Sequence, residues 1–127
     1  MSYESDKTNF KQQFKKRCFH FSISILNLTE KLTSKRINGV LINQLIRSAT
    51  SIGANVVEGS YSSSKKEFIN YFQISVKSAA ETAYWLSLLE EINPLQKEEV
   101  DKLIQECSEL RKILSTVVLN TKNHSKF

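Results

Sequence analysis

The chain has 127 residues, 40% of them hydrophobic and 24% charged, with three Gly, one Pro and two Cys. That balance fits one globular domain, while so little Gly and Pro argues against a turn-rich β sandwich or barrel. No apolar run reaches the roughly 18 residues of a membrane span, and the net charge of +5 leaves room for an acidic partner.

Helix one is predicted over about residues 8–33, because Phe14, Cys18, Phe21, Ile25, Leu28 and Leu32 recur in steps of 4 and 3. Asn38-Gly39, after the polar stretch Thr33 to Arg36, reads as the break before helix two. Helix two is placed at about 40–58 on Leu41, Leu45, Ala49, Ile52 and Val56. Gly59 is expected to end it in the left-handed conformation. Ser64-Lys65-Lys66-Glu67 reads as a capping box, in which the Ser64 hydroxyl and the Glu67 carboxylate satisfy each other's backbone amides. Helix three, about 65–92, carries Phe68, Phe72, Ser75, Ala79, Thr82, Leu86 and Leu89. Pro94 cannot continue it and also restricts Asn93. Helix four, about 96–119, carries Val100, Leu103, Cys107, Leu110, Leu114 and Val117, and residues 120–127 read as a frayed tail. Four such segments with short connections predict a single all-α domain, an antiparallel up-down-up-down four-helix bundle.

Helix three has a second stripe, Ile69, Val76 and Ala83, together with Tyr71, Tyr84 and Trp85. An apolar arc that wide predicts burial on two sides, and large aromatics anchor interfaces. Tyr71, Tyr84 and Trp85 are therefore the candidate contacts between copies.

Charge is distributed unevenly along the chain. Residues 1–36 hold eight Lys/Arg against three Asp/Glu, and residues 111–127 hold four against none. Residues 81–110 hold eight acidic side chains against two basic ones. A basic surface and an acidic surface on one molecule follow from this. The candidate phosphate contacts are Lys11, Lys15, Lys16 and Arg17 on helix one, with Lys35 and Arg36 in the first connection. No aromatic-interleaved motif or recognition helix appears, so phosphate contact with little sequence reading is expected.

Polar residues also fall within the helical pattern. Arg47, Ser51, Asn55 and Glu58 share one side of helix two, and Ser78 and Glu81 lie beside the seam of helix three. A structural network fixing the register of the two helices is the expected role, because a buried carboxylate must be paired or hydrogen-bonded. A catalytic pair, Glu58 with Glu81, is the sharper alternative.

No phosphate loop, Gly-x-Ser-x-Gly elbow or zinc-ligand cluster is present, and no Glu-x-x-His for a di-iron bundle. Cys18 and Cys107 lie on apolar seams, where a thiol acts as a small core side chain. The expectation is a protein that is not an enzyme and needs no cofactor or metal. The start, Met1 to Asp6, lacks a basic region leading into an apolar one, so the cytoplasm is the expected compartment.

The stretch Gln44-Leu45-Ile46-Arg47-Ser48-Ala49-Thr50-Ser51-Ile52-Gly53-Ala54-Asn55-Val56-Val57-Glu58-Gly59 resembles the hallmark of a bacterial four-helix-bundle family. A second block of that family is matched by Ser64 to Phe68 and by Ser78 to Glu81. The family is that of the proteins encoded in intervening sequences of 23S rRNA genes, and the accessory variability protein of diversity-generating retroelements is related to it. The resemblance covers about residues 10–119. It departs at Phe14-Lys15-Lys16-Arg17, where many members have a Trp, and at Gly53, where many have Pro.

The resemblance implies a ring-shaped homopentamer of such bundles. For the retroelement relative it implies binding of nucleic acid and of a reverse transcriptase. The sequence is therefore read as a homo-oligomeric helical bundle that binds structured RNA or other nucleic acid. The rival reading is a scaffold that docks a partner protein such as a reverse transcriptase.

Overall fold

The computed structural model describes residues 3–32 and 36–124. Four α-helices fill most of this range: α1 Tyr3–Glu30, α2 Arg36–Ser60, α3 Lys65–Ile92 and α4 Lys97–Asn123. A single 3-10 turn, Pro94–Gln96, joins α3 to α4, and no strand occurs among the described residues. The helices hold 25–28 residues each, hence about 38–42 Å of length. They pack in chain order around the bundle, α1 against α2, α2 against α3, α3 against α4, and α4 back against α1. The fold is an all-α four-helix bundle.

One core holds the four stripes together. Phe14, Cys18, Phe21, Ile25, Leu28 and Leu32 of α1 and its C-terminal turn meet Leu45, Ala49, Ile52 and Val56 of α2. Phe72, Ala79, Leu86 and Leu89 of α3 and Val100, Leu103, Cys107, Leu110 and Leu114 of α4 complete it. Val118 takes the buried place expected of Val117, which is only partly buried. The second stripe of α3 is also internal: Ile69, Val76 and Ala83 pack against this same core. Between two close neighbours, a central helix buries a wide arc without any second copy.

The breaks differ from the local reading in three places. α2 begins at Arg36, so Asn38-Gly39 lies inside the helix rather than between helices. Asn38 is fully buried, and its amide donates to Leu32 O at 2.5 Å and to Asn93 Oδ1 at 3.1 Å. Asn93 returns a bond to Asn38 Oδ1 at 3.2 Å and donates to Leu89 O at 2.9 Å. This buried pair ties the α1–α2 connection to the α3–α4 connection. Gly59 lies within α2 and has no positive φ. Its small size serves packing, since a Cβ there would come within 2.8 Å of the Phe72 ring. α4 runs on to Asn123, past the start of the expected frayed tail.

At the α2–α3 turn the Glu67 amide donates to Ser64 Oγ at 3.1 Å, but the Glu67 carboxylate makes no bond back. Ser64 thus caps α3 alone.

Candidate nucleic-acid interface

The antiparallel order gathers the start of α1, the end of α2, the start of α3 and the end of α4 at one end of the bundle. Lys11, Lys15, Lys16, Lys65, Lys66, Lys112 and Lys122 all fall in that half. The opposite end carries Glu90, Glu91, Glu98, Glu99 and Asp101. The charge asymmetry along the sequence thus becomes a separation of charge along the bundle axis.

The acidic end pairs its described lysines with carboxylates. Lys31 pairs with Glu99 at 2.9 Å, Lys97 with Asp101 at 2.8 Å and Glu90 at 3.4 Å, and Lys102 with Glu98 at 3.7 Å. Hydrogen bonding to Asp101 raises the pKa of Glu90, and the same contact, joined by Lys97, lowers that of Asp101. At the basic end, no ion pair forms among the described residues to Lys15, Lys16, Lys65, Lys66, Lys112 or Lys122. Lys65 instead donates to Lys122 O at 3.3 Å and to His124 O, closing the end of α4. A cation at a helix C-terminus opposes the partial negative charge of its free carbonyls.

The expected phosphate contacts do not form one group. Arg17 is engaged within the chain: its Nε and Nη2 reach both Glu106 oxygens at 2.7 and 2.6 Å, and Nη2 also meets Glu109 at 3.2 Å. This bidentate bond to Glu106 raises the arginine pKa further. Arg17 thus fastens α1 to α4, with its charge already matched by Glu106 and Glu109. Arg36 is exposed but begins α2 at the acidic end, about 20–25 Å along the axis from Lys15. Lys35 lies outside the described residues. Lys11 and Lys16 are exposed, and the Lys15 ammonium sits 5.5 Å from the centroid of the Tyr61 ring.

The polar group between α2 and α3 is composed differently from the sequence reading. Ser78 Oγ meets Ser51 Oγ at 3.1 Å, and the Asn55 amide donates to Ser51 Oγ and to Ser51 O, both at 2.8 Å. Three residues outside the expected set extend it. Thr82 Oγ1 lies 2.9 Å from Ser48 Oγ, and Ser75 donates to Ile52 O at 2.7 Å. Arg47, Glu58 and Glu81 are exposed, so no buried carboxylate pair exists there. Their long side chains lie on the outer flank, where the charge stays in water. Glu81 accepts from Trp85 Nε1 at 3.2 Å.

Tyr84 is exposed, whereas Tyr71 and Trp85 are half-buried. Trp85 packs against the core and meets the Tyr84 ring edge-on at 5.3 Å. Consecutive helical residues point about 100° apart, so Tyr84 projects into solvent beside the flank that carries Trp85. A surface stripe absent from the sequence reading lies on α1. Phe19, Ile23 and Leu26 are 63%, 40% and 39% exposed, and they repeat the steps of 4 and 3 on the side away from the core. The period alone could have revealed it.

No group of three or more His, Cys, Asp or Glu is placed to hold a metal ion among the described residues. Burial pushes the Cys18 thiol up to about 12 and the Cys107 thiol up to about 11. Cys107 donates to Ala79 O at 3.1 Å. Both thiols are core side chains rather than nucleophiles. No described helix is long and apolar enough to cross a membrane.

Fold and surface together define a small helical bundle with one end rich in lysines. Residues 11–116 match the 23S rRNA-intervening sequence protein family, and the chain belongs to that family. It is similar to a crystal structure of a protein of unknown function from the S23 ribosomal protein family of Bacteroides thetaiotaomicron. The two share 33% identity over 83% of this chain and 97% of that one, with a TM-score of 0.77. No curated protein matches the chain.

Proposed function

We propose that the protein is a non-enzymatic, cytoplasmic, homo-oligomeric bundle that binds structured RNA or another nucleic acid through its basic end. The observation that carries this reading is the unequal pairing of the two ends. Lys31, Lys97 and Lys102 at the acidic end have carboxylate partners, while Lys15, Lys16, Lys65, Lys66, Lys112 and Lys122 have none among the described residues. Clustered cations without internal partners hold a polyanion by releasing its counterions. Lys15, Lys16, Lys66, Lys112 and Lys122 are the contacts in this reading, with Lys11 beside them.

The assembly is a ring of five, as the family resemblance implies. Five copies at +5 would carry about +25 in total. Native mass by light scattering, with and without a structured RNA, tests both parts. A particle near five times 14.6 kDa that gains RNA mass only at low salt is the expected result. A 14.6 kDa monomer, or an RNA complex indifferent to salt, would overturn the assembly or the phosphate surface respectively.

The second reading, a scaffold that docks a partner protein such as the reverse transcriptase of the related retroelement system, is favoured by the exposed Phe19, Ile23 and Leu26 stripe. A ring that takes up no RNA at any salt concentration would favour it.

A further inference from the structure

We infer that Tyr61 is a stacking platform for an unpaired base, so that the basic end takes a single-stranded loop or overhang in preference to a flush duplex. This rests on the nucleic-acid reading above and adds to it the class of nucleic acid and the residue that selects it.

Tyr61 follows the last residue of α2 and is 82% exposed, so its ring adds almost nothing to the core. Its backbone is nevertheless fixed, since the Tyr61 amide donates to Glu58 O at 3.2 Å and the next amide to Gly59 O at 3.1 Å. A large aromatic on an ordered turn offers a flat apolar face at a constant place. The ring already has a cation against it: Lys15 Nζ is 5.5 Å from its centroid. An ammonium at that distance is held by the ring's quadrupole, and Lys15 forms no ion pair among the described residues.

Lys15 and Tyr61 therefore bring together the two elements that single-strand binders combine, a backbone cation and an aromatic face. Lys16 follows on α1, and the polar turn 62–64 continues from Tyr61. Ser62 Oγ in that turn is enclosed without a hydrogen-bond partner, so the chain leaves one of its polar groups unsatisfied there. Glu58 and Glu67, both exposed, border the turn. They repel phosphate, which leaves the α1 side of Tyr61, where Lys15 sits, as the approach. A blunt duplex keeps its bases stacked inside and can use only the lysines. An unpaired base can cover the open face of the ring.

The test is fluorescence anisotropy of the full chain with a labelled single-stranded RNA oligomer and with the same oligomer in a blunt duplex, at low salt. The intact protein is expected to bind the single strand more tightly. Tyr61→Ala should weaken that binding on the order of tenfold and leave duplex binding unchanged. Tyr61→Phe should retain the preference, and Lys15→Gln should weaken both ligands. The helical circular dichroism of each variant reports whether the bundle has kept its fold. Unchanged single-strand binding by Tyr61→Ala, or equal loss on both ligands, would overturn the stacking role while sparing the phosphate surface. No binding of either ligand by the intact protein would overturn the nucleic-acid reading itself and the stacking role with it.

Discussion

Replacing Asn38 by Ala should cost more than any single exposed substitution in this bundle, although Asn38 belongs to an Asn-Gly pair that reads as a surface turn. The side chain is fully buried and takes part in three hydrogen bonds, to Leu32 O at 2.5 Å and with the Asn93 amide at 3.1 and 3.2 Å. Asn38→Ala takes the donor from two enclosed acceptors, Leu32 O and Asn93 Oδ1. At about 1–3 kcal/mol for each buried group left without its bond, the loss comes to about 2–6 kcal/mol. That is a large share of the roughly 5–15 kcal/mol that holds a domain of this kind folded. Urea unfolding followed by circular dichroism, at one fixed protein concentration so that assembly does not move the midpoint, measures it. Asn93→Ala should be similarly costly, and the double variant should lose about 1–2 kcal/mol less than the sum, because the two amides satisfy each other. A loss below about 0.5 kcal/mol for Asn38→Ala would refute the assignment of this pair as a tie between the two connections. Additive losses would refute the reciprocity.

The two outer glycines should respond to alanine with opposite signs. Gly39 is helical with nothing within 4 Å of an added Cβ, so Gly39→Ala should raise stability by about 0.5–1 kcal/mol. Gly59→Ala gains the same propensity but forces a Cβ to 2.8 Å from Phe72 and 3.1 Å from Tyr71, so a net loss of about 1–2 kcal/mol is expected in thermal or urea unfolding. Stabilisation at both sites would mean that Phe72 moves freely. Glu90→Gln should stabilise the protein at neutral pH and not at acid pH. Glu90 holds its proton more tightly in the folded state, chiefly through the bond to Asp101, so ionising it as pH rises costs the folded state more than the unfolded one. The glutamine removes that cost above the raised pKa and changes little below the unfolded one. A gain that is the same at both ends of the pH range would refute the shared bond.

The helices were legible in the sequence because their cause is local and repeated. Steps of 4 and 3 from Phe14 to Leu32, or from Val100 to Leu114, leave no other economical way to bury those side chains. What escaped the sequence is set by partners far along the chain. Arg17 reads as a phosphate ligand until Glu106 arrives 89 residues later on the helix beside it. Asn38 reads as a turn until Asn93, 55 residues on, claims its amide. Gly59 does sit at the end of α2, but the Phe72 ring rather than a left-handed backbone accounts for it. The charged members of the expected α2–α3 network stay outside for a related reason. Ser48, Ser51, Ser75, Ser78 and Thr82 are short enough to meet between the helices, and Arg47, Glu58 and Glu81 extend past them into water. Lys35 lies beyond the described residues, and the structure places Lys15 and Arg36 at opposite ends because α2 starts where α1 stops.

The backbone of α1 lies less closely against α2 and α4 than that of α3 does against its neighbours, and Arg17 and Lys31 supply ion pairs to α4. A bundle assembled this unevenly does not loosen everywhere at once. α1 is therefore expected to lift before the α2–α3–α4 layer opens, at a free-energy cost below that of unfolding the whole chain. When it lifts, Leu103 and Cys107 lose part of their cover, and so does the inner stripe of α1 itself. A chain opened in this way would present a three-helix trough and a helix that fits it. A second copy in the same state could fill that trough with its own α1.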